Sequence, residues 1–320
     1  MQEMIKSKLT SLLADGTVTR VIGWKKGETF YDESPAVFEN AEAMDEFVYD
    51  EFSGANLSKF LVNECKKEGK IAVVLKPCDT FSLNQLIKEN RVDREKIYVV
   101  GIACDGKLSE EKLRMKGITG LIGCKTEGDN VIVSTLYGEE TVAKADILLD
   151  KCALCHSKKH VIADEIIGEE GEDSNVDRFV GVAELEAMTP EERFEFWRGE
   201  LSRCIRCNAC RNACPACTCE KCVFDNDASG VAAKSNANSF EENMFHIIRA
   251  FHVAGRCTDC GECSRVCPQH IPLHLLNRKF IKDINTYYGE YQAGENTTDE
   301  HPLVHFTEGD PEPSIVKEAK

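Results

Sequence analysis

The chain has 320 residues, a net charge of −16 and seventeen cysteines, and is long enough for about two domains that each bury a core. Its acidity disfavours nucleic acid, whose phosphates demand a basic surface, and no run approaches the ~20 apolar residues that a membrane span needs. The opening residues Met1-Gln2-Glu3-Met4-Ile5-Lys6 lack the apolar core of a signal segment, so a soluble, cytoplasmic protein is expected. Crowding of cysteines into Cys-x-x-Cys spacings argues for thiolate metal ligands over disulfides, whose partners the fold must hold several ångströms apart. Such thiols survive best in a reducing compartment, and an anaerobic host is expected.

Taken in order, the first half alternates short strands and helices, the pattern of a layered α/β domain. Ile71-Ala72-Val73-Val74-Leu75 reads as a buried strand. Phe81, Leu83, Leu86 and Ile87 then recur near helical spacing over 79–90, with Asp79 as the N-cap. Residues 97–102 repeat the strand signal and complete a β-α-β unit in which Cys78 and Cys104 follow the two strand ends, where open parallel sheets gather ligands. Residues 131–136 predict a strand in a peripheral hairpin, and the Gly, Glu and Asp rich stretch 168–177 predicts an exposed linker. Thr189-Pro190-Glu191-Glu192 is a helix start with Pro190 at the first position and a capping box, and that helix is expected to run to about Arg203. A further helix over 239–254 carries Met244, Ile247, Ile248 and Phe251 as an apolar stripe suited to core packing. After Tyr291 the chain is polar and acidic, which predicts an extended tail.

The motifs that carry chemistry are Cys204-x-x-Cys207-x-x-Cys210-x-x-x-Cys214-Pro215 and Cys257-x-x-Cys260-x-x-Cys263-x-x-x-Cys267-Pro268. This is the two-cluster ferredoxin pattern, in which three close cysteines bind one cubane and the fourth crosses to the other. Crossing assigns Cys204, Cys207, Cys210 and Cys267 to one 4Fe-4S cluster, and Cys214, Cys257, Cys260 and Cys263 to its neighbour. A zinc site needs one tetrahedral ligand set and has no reason to repeat an eight-cysteine, proline-terminated pattern. The insertion between the motifs holds a helix where a compact ferredoxin has a short connection. This part therefore resembles the α-helical ferredoxin domains of heterodisulfide reductase and succinate dehydrogenase iron–sulfur subunits. Arg203, Arg206, Arg211, Arg256 and Arg265 flank the cysteines, either raising cluster potentials or forming ordinary salt bridges.

Nine more cysteines stand in suggestive places or in the core. Cys78, Cys104, Cys152 and Cys155 can close a third 4Fe-4S cluster in the α/β domain. Cys217, Cys219 and Cys222 follow the first motif and offer alternative ligands or part of a further site. Cys65 and Cys124 read as buried and unliganded. A lone Cys152-x-x-Cys155 also suits a redox or zinc site.

Lys76-Pro77-Cys78-Asp79, Gly101-Ile102-Ala103-Cys104, Cys152-Ala153-Leu154-Cys155 and Ala163-Asp164-Glu165-Ile166-Ile167-Gly168-Glu169 together resemble the beta-subunit family of coenzyme F-420 hydrogenases and dehydrogenases, here fused to a two-cluster ferredoxin domain. The resemblance implies FAD in the α/β domain beside a 4Fe-4S cluster, exchanging hydride with a soluble carrier and passing single electrons to the cluster; coenzyme F-420, NAD(P)H and ferredoxin are the candidate soluble electron carriers. It also implies a redox complex with heterodisulfide-reductase-like, hydrogenase or formate dehydrogenase subunits. No Gly-x-Gly-x-x-Gly occurs, so flavin binding rests on the resemblance alone. His156 and His160 are candidates to donate protons or hydrogen bonds to a flavin; no catalytic or flavin-binding residue follows from the sequence.

The expected architecture is an α/β layered domain (1–175), an α-helical dicluster ferredoxin domain (189–288) and an extended acidic tail (292–320). The expected function is electron transfer as a flavin and iron–sulfur oxidoreductase subunit. The alternative is a flavin-free iron–sulfur adaptor that catalyses nothing alone.

Overall fold

A computed structural model describes residues 1–155, 157–226, 228 and 239–310. His156 lies outside them. The chain divides into two compact units, Met1–Thr80 with Val92–Val176, and Phe81–Arg91 with Asp177–Lys320.

In the first unit, helix α1 (Gln2–Ala14) buries Ile5, Leu9 and Leu12, a helical i, i+4, i+7 stripe. Three strands follow, β1 (Arg20–Lys26), β2 (Glu33–Phe38) and β3 (Phe47–Val48), then the short helix α2 (Leu61–Glu64). Strand β4 (Ile71–Leu75) leads into α3 (Pro77–Lys88), whose residues from Phe81 onward belong to the second unit, and β5 (Ile97–Ile102) leads towards α4 (Glu110–Met115). Every residue of β4 is buried, as a central parallel strand covered on both faces requires. Strands β6 (Leu121–Glu127), β7 (Asn130–Thr135) and β8 (Gly138–Ala143) form a separate antiparallel sheet, followed by the single-turn helices α5 (Lys144–Ile147) and α6 (Asp150–Ala153). Strand β9 (Glu165–Ile167) completes the main sheet, in the order β2-β1-β4-β5-β9 with β3 also paired to β1. Strands β1, β4, β5 and β9 run parallel, with Val73 opposite both Ile22 and Val99.

Helix α3 starts two residues earlier than the cap signal predicts. Pro77 opens it, the position where its fixed φ and missing N–H cost nothing. Asp79 therefore lies inside the first turn, buried and paired with Lys76 at 2.7 Å, and Cys78 is a helical residue. Asn90, with φ 53°, turns the chain out of the helix.

The second unit is helical: α7 (Val180–Ala187), α8 (Pro190–Ser202), α9 (Ala209–Ala213), α10 (Ser239–Val253), α11 (Glu262–Arg265) and α12 (Leu273–Tyr287). Helix α10 packs on α8 and α12, and α9 packs on α11. The predicted capping box of α8 is complete, with Thr189 Oγ1 accepting from the Glu192 N–H and the Glu192 carboxylate accepting from the Thr189 N–H. Thr189→Ala is expected to cost about 1 kcal/mol and to lower the melting temperature of the anaerobic chain by about 2–4 °C.

Helix α10 meets the predicted stripe in part: Met244 and Ile248 pack against the core, whereas Ile247 and Phe251 are exposed and the fully buried face is Phe245, His246, Arg249, Ala250 and Val253. Phe251 meets the edge of Phe280, at 4.8 Å between ring centroids. Residues 292–310 contain no helix or strand, and the first of them are tied down within the unit: Gln292 accepts from Arg178 at 2.7 Å, and Ala293 is buried. No helix among the described residues is long and apolar enough to cross a membrane.

Candidate metal centres

The two ferredoxin-type loops share one backbone trace. Arg206 and Asn208 in the first, and Asp259 and Gly261 at the same motif positions in the second, all have left-handed backbones with φ between 56° and 67°. Gly, Asn and Asp enter this region at least cost. The Arg206 N–H donates to Cys204 Sγ at 3.4 Å. Each loop runs into a short helix that carries its third cysteine, Cys210 on α9 and Cys263 on α11.

A pocket is lined by Cys204, Cys207, Cys210 and Cys267, with Phe245, Ile271 and Leu273 among its walls. Three of these cysteines come from the first motif and one from the second. The other four gather nearby in the same unit: Cys260 and Cys263 both act electrostatically on Cys257, and Cys214 packs with Cys217 and Cys257. Burial raises the thiols of Cys210 and Cys257, and pushes Cys263 up to about 11. Metal uptake by such thiols must release protons. Convergent thiols, apolar walls and the Arg206 N–H at Cys204 Sγ fit a polyanionic iron–sulfur cubane.

Polar side chains surround these thiols. His246 places Nε2 at 3.2 Å from Cys204 Sγ, and burial, with Arg249 and Arg206 adding repulsion, brings its imidazole down to about 3. Asn277 offers its amide to Cys263 Sγ at 3.6 Å. Arg249 is buried and donates to the Cys210 carbonyl at 3.3 Å. Burial works against its charge, but the thiols of Cys210, Cys214, Cys217 and Cys263 outweigh that and raise it. Asp259 is held by Arg278 at 2.8 Å, with Arg178 at 3.5 Å.

Of the five flanking arginines, Arg203 pairs with Glu200, Arg211 with Asp225, Arg256 with Glu89 and Arg265 with Glu262. The fifth, Arg206, lies over the Phe245 ring at 4.2 Å. His246, Arg249 and Asn277 were not legible as site residues, because nothing in a local motif marks them.

Among the remaining cysteines of this unit, Cys217 has its thiol raised by a hydrogen bond with Cys214 and by burial. Cys219 is exposed, and Cys222 hydrogen-bonds Arg211.

In the first unit, Cys78 lies on the first turn of α3, Cys104 follows β5, Cys152 sits on α6 and Cys155 just beyond it. The four lie within electrostatic reach of one another, Cys155 of Cys78, Cys104 of Cys152, and both Cys152 and Cys104 of Cys155, but among the described residues no three His, Cys, Asp or Glu side chains are grouped closely enough to hold a metal ion. Burial raises the thiols of Cys78, Cys152 and Cys155. Three lysines stand among them. Lys76 bonds Asp79 and the Ala55 carbonyl, each at 2.7 Å. Lys107 bonds the Asp50 carbonyl and lies over the Tyr49 ring at 3.8 Å, and Lys151 bonds the Gly54 carbonyl at 2.7 Å. The Lys107 N–H also reaches Cys152 Sγ at 3.4 Å. Cationic side chains beside these thiols suit an anionic cluster, with burial working against the charge of Lys107.

His160 is engaged on both ring nitrogens, Nδ1 with Glu170 at 2.6 Å and Nε2 with the Leu75 carbonyl at 3.1 Å. It fastens the segment before β9 to the end of β4 and to the segment after β9. Cys65 and Cys124 are pushed up to about 11 and about 12 by burial, which keeps them as neutral thiols.

Burial, with Asp50 adding a hydrogen bond and its charge, pushes Glu33 up to about 9 from an ordinary 4.5. The folded chain then keeps a proton that the unfolded chain releases, so this stabilisation is complete below about pH 4.5 and disappears as pH rises through about 9. Glu33→Gln is expected to flatten the fall in melting temperature between about pH 5 and pH 9 in a buffer series.

Residues 200–271 match the family described as a 4Fe-4S dicluster domain. The chain is 26% identical to the F420-dependent formate dehydrogenase subunit beta of Methanocaldococcus jannaschii, over 87% of each chain. It is 24% identical to the F420-dependent formate dehydrogenase 1 subunit beta of Methanococcus maripaludis, over 85% of this chain and 87% of the relative. A chain of the F420-reducing [NiFe] hydrogenase complex from Methanosarcina barkeri is similar at a TM-score of 0.39 and 15% identity, over 62% of this chain and 84% of that one. The chain is thus an iron–sulfur electron-transfer protein with a helical 4Fe-4S dicluster domain at 200–271, and over most of its length it resembles the beta subunits of F420-dependent formate dehydrogenases.

Proposed function

We propose that this protein is the electron-relaying subunit of a cytoplasmic, anaerobic oxidoreductase complex. One 4Fe-4S cluster is held by Cys204, Cys207, Cys210 and Cys267, and a second by Cys214, Cys257, Cys260 and Cys263. A third is held by Cys78, Cys104, Cys152 and Cys155 in the α/β domain at 1–175, ahead of the ferredoxin domain at 189–288 and the tail at 292–320. The observation that carries the reading is the pocket in which Cys267 of the second motif joins three cysteines of the first. Of the trio Cys217, Cys219 and Cys222, Cys217 is the one placed to substitute as a ligand, because its thiol touches that of Cys214.

Bound cubanes supply one-electron transfer, and FAD in the first unit would add hydride exchange with a soluble carrier. The chain's own residues hold and shield these groups. The cysteines fix the clusters, Phe245, Ile271 and Leu273 exclude water from the first, and Lys76, Lys107 and Lys151 offset negative charge at the third. The resemblance to formate dehydrogenase beta subunits supports coenzyme F-420 as the carrier, ahead of NAD(P)H or ferredoxin. It likewise supports a formate dehydrogenase subunit as partner, ahead of hydrogenase or heterodisulfide-reductase-like subunits.

A flavin-free adaptor is the second reading, favoured by the missing Gly-x-Gly-x-x-Gly. The visible spectrum of the anaerobically purified chain after cluster extraction separates the two. Flavin bands, with reduction of the clusters by reduced coenzyme F-420, support the oxidoreductase. Fully loaded clusters without flavin, reducible only through another protein, support the adaptor.

A further inference from the structure

We propose that the inner face of α10 sets the reduction potentials of the two clusters in the second unit, with His246 acting on the cluster at Cys204 and Arg249 acting on both. The proposal rests on the crossed ligand sets given above.

His246 and Arg249 are three residues apart on one helix and therefore share a face. They are 2% and 5% exposed. Burying an imidazole and a guanidinium costs free energy that a Leu or Met at these positions would avoid, and both groups are spent on ligand loops. A cysteine thiolate can only accept a hydrogen bond, so the His246 nitrogen at 3.2 Å from Cys204 Sγ is the protonated one. Arg249 is fixed by its bond to the Cys210 carbonyl, and the thiols that act on it come from both ligand sets: Cys210 from the first, Cys214 and Cys263 from the second. Its guanidinium is charged at any relevant pH.

Reduction adds an electron to an already anionic cluster. A hydrogen bond to a ligand sulfur and a nearby fixed cation both favour the reduced form, and low local polarity strengthens each effect. The two sites are unequal in this respect. The first receives the short imidazole contact, with Arg206 close by over Phe245. The second receives the longer Asn277 contact and faces the Asp259 carboxylate, whose charge Arg278 and Arg178 offset. The cluster at Cys204 is therefore the one of higher potential, where an electron rests.

The test is a redox titration of the full-length, anaerobically purified chain followed by electron paramagnetic resonance, with iron measured in each sample. His246→Leu is expected to shift the one-electron equilibrium of one cluster about tenfold towards the oxidised form, ~59 mV, leaving the others unmoved. His246→Gln, which keeps an N–H donor, restores most of the shift. Arg249→Met lowers two midpoints together, and Arg249→Lys recovers part of the loss. Fully loaded His246→Leu and Arg249→Met chains with unmoved midpoints overturn the proposal. If either variant sheds iron, the wild-type chain labelled with 15N-histidine and 15N-arginine decides. Spin-echo coupling of those nitrogens to reduced clusters supports the assignment, and its absence overturns it. A wild-type titration showing no cubane pair contradicts the underlying ligand sets instead, whatever the variants do.

Discussion

Cys267→Ala is expected to remove the cluster bound by Cys204, Cys207 and Cys210, and to spare the one bound by Cys257, Cys260 and Cys263, its own neighbours in the sequence. The reason is spatial: Cys267 shares a pocket with the first motif's cysteines. The fourth cysteine of the first motif, Cys214, packs beside Cys257 instead. Losing one thiolate leaves three ligands, and the buried thiol of Cys210 favours its proton, so the expected effect is absence of the cubane and near-complete loss of electron flux through this unit. Iron content and paramagnetic resonance of the reduced variant, compared with Cys260→Ala, check it. Spectra in which Cys267→Ala and Cys260→Ala remove the same cluster would refute the crossing.

Lys76→Met is expected to destabilise the first unit by about 3–5 kcal/mol, the cost of stranding one charge of a buried ion pair. Lys76 and Asp79 have side chains 1% and 0% exposed. The ammonium also caps the Ala55 carbonyl and lies over the Trp24 ring at 4.6 Å. The pair therefore ties β4 and the first turn of α3 to two other parts of the unit, and it flanks Cys78. Lys76→Met with Asp79→Leu removes both charges and is expected to recover most of the loss. Denaturant midpoints of the single and double variants, at equal iron content, measure this; a single variant within 1 kcal/mol of wild type would contradict the account.

The strands β4 and β5 and the start of α8 were legible because each depends on local signals: an unbroken apolar run for a doubly covered strand, and a capping box that bonds to itself. The chain also showed its α/β and helical dicluster parts, through alternation in one and cysteine spacing in the other. Helix α10 was misread in part, for a physical reason. It carries apolar residues on two faces, and periodicity alone cannot say which one turns inward. The face that does carries His246 and Arg249, which a hydropathy argument assigns to solvent, since it cannot see the thiols that make a buried cation favourable. Strand β8 was missed because nearly all of it is exposed and it holds its place by pairing with β7. The α3 boundary moved because Pro77 is a better first residue than Asp79 is a cap, and Asp79 is needed as the partner of Lys76. Cys78 and Cys104 were placed after strands from the sequence, whereas the lysines near them became visible only in three dimensions.

The most direct test of the account is stepwise reduction of the anaerobically prepared chain, with iron, zinc and acid-labile sulfide measured and the reduced state examined by Mössbauer and paramagnetic resonance spectroscopy. The account predicts cubane iron only, one electron taken up per cubane, and magnetic interaction between the two clusters of the second unit. A colourless, zinc-loaded chain, or one whose ferredoxin-type cysteines hold a single isolated cluster, would contradict it.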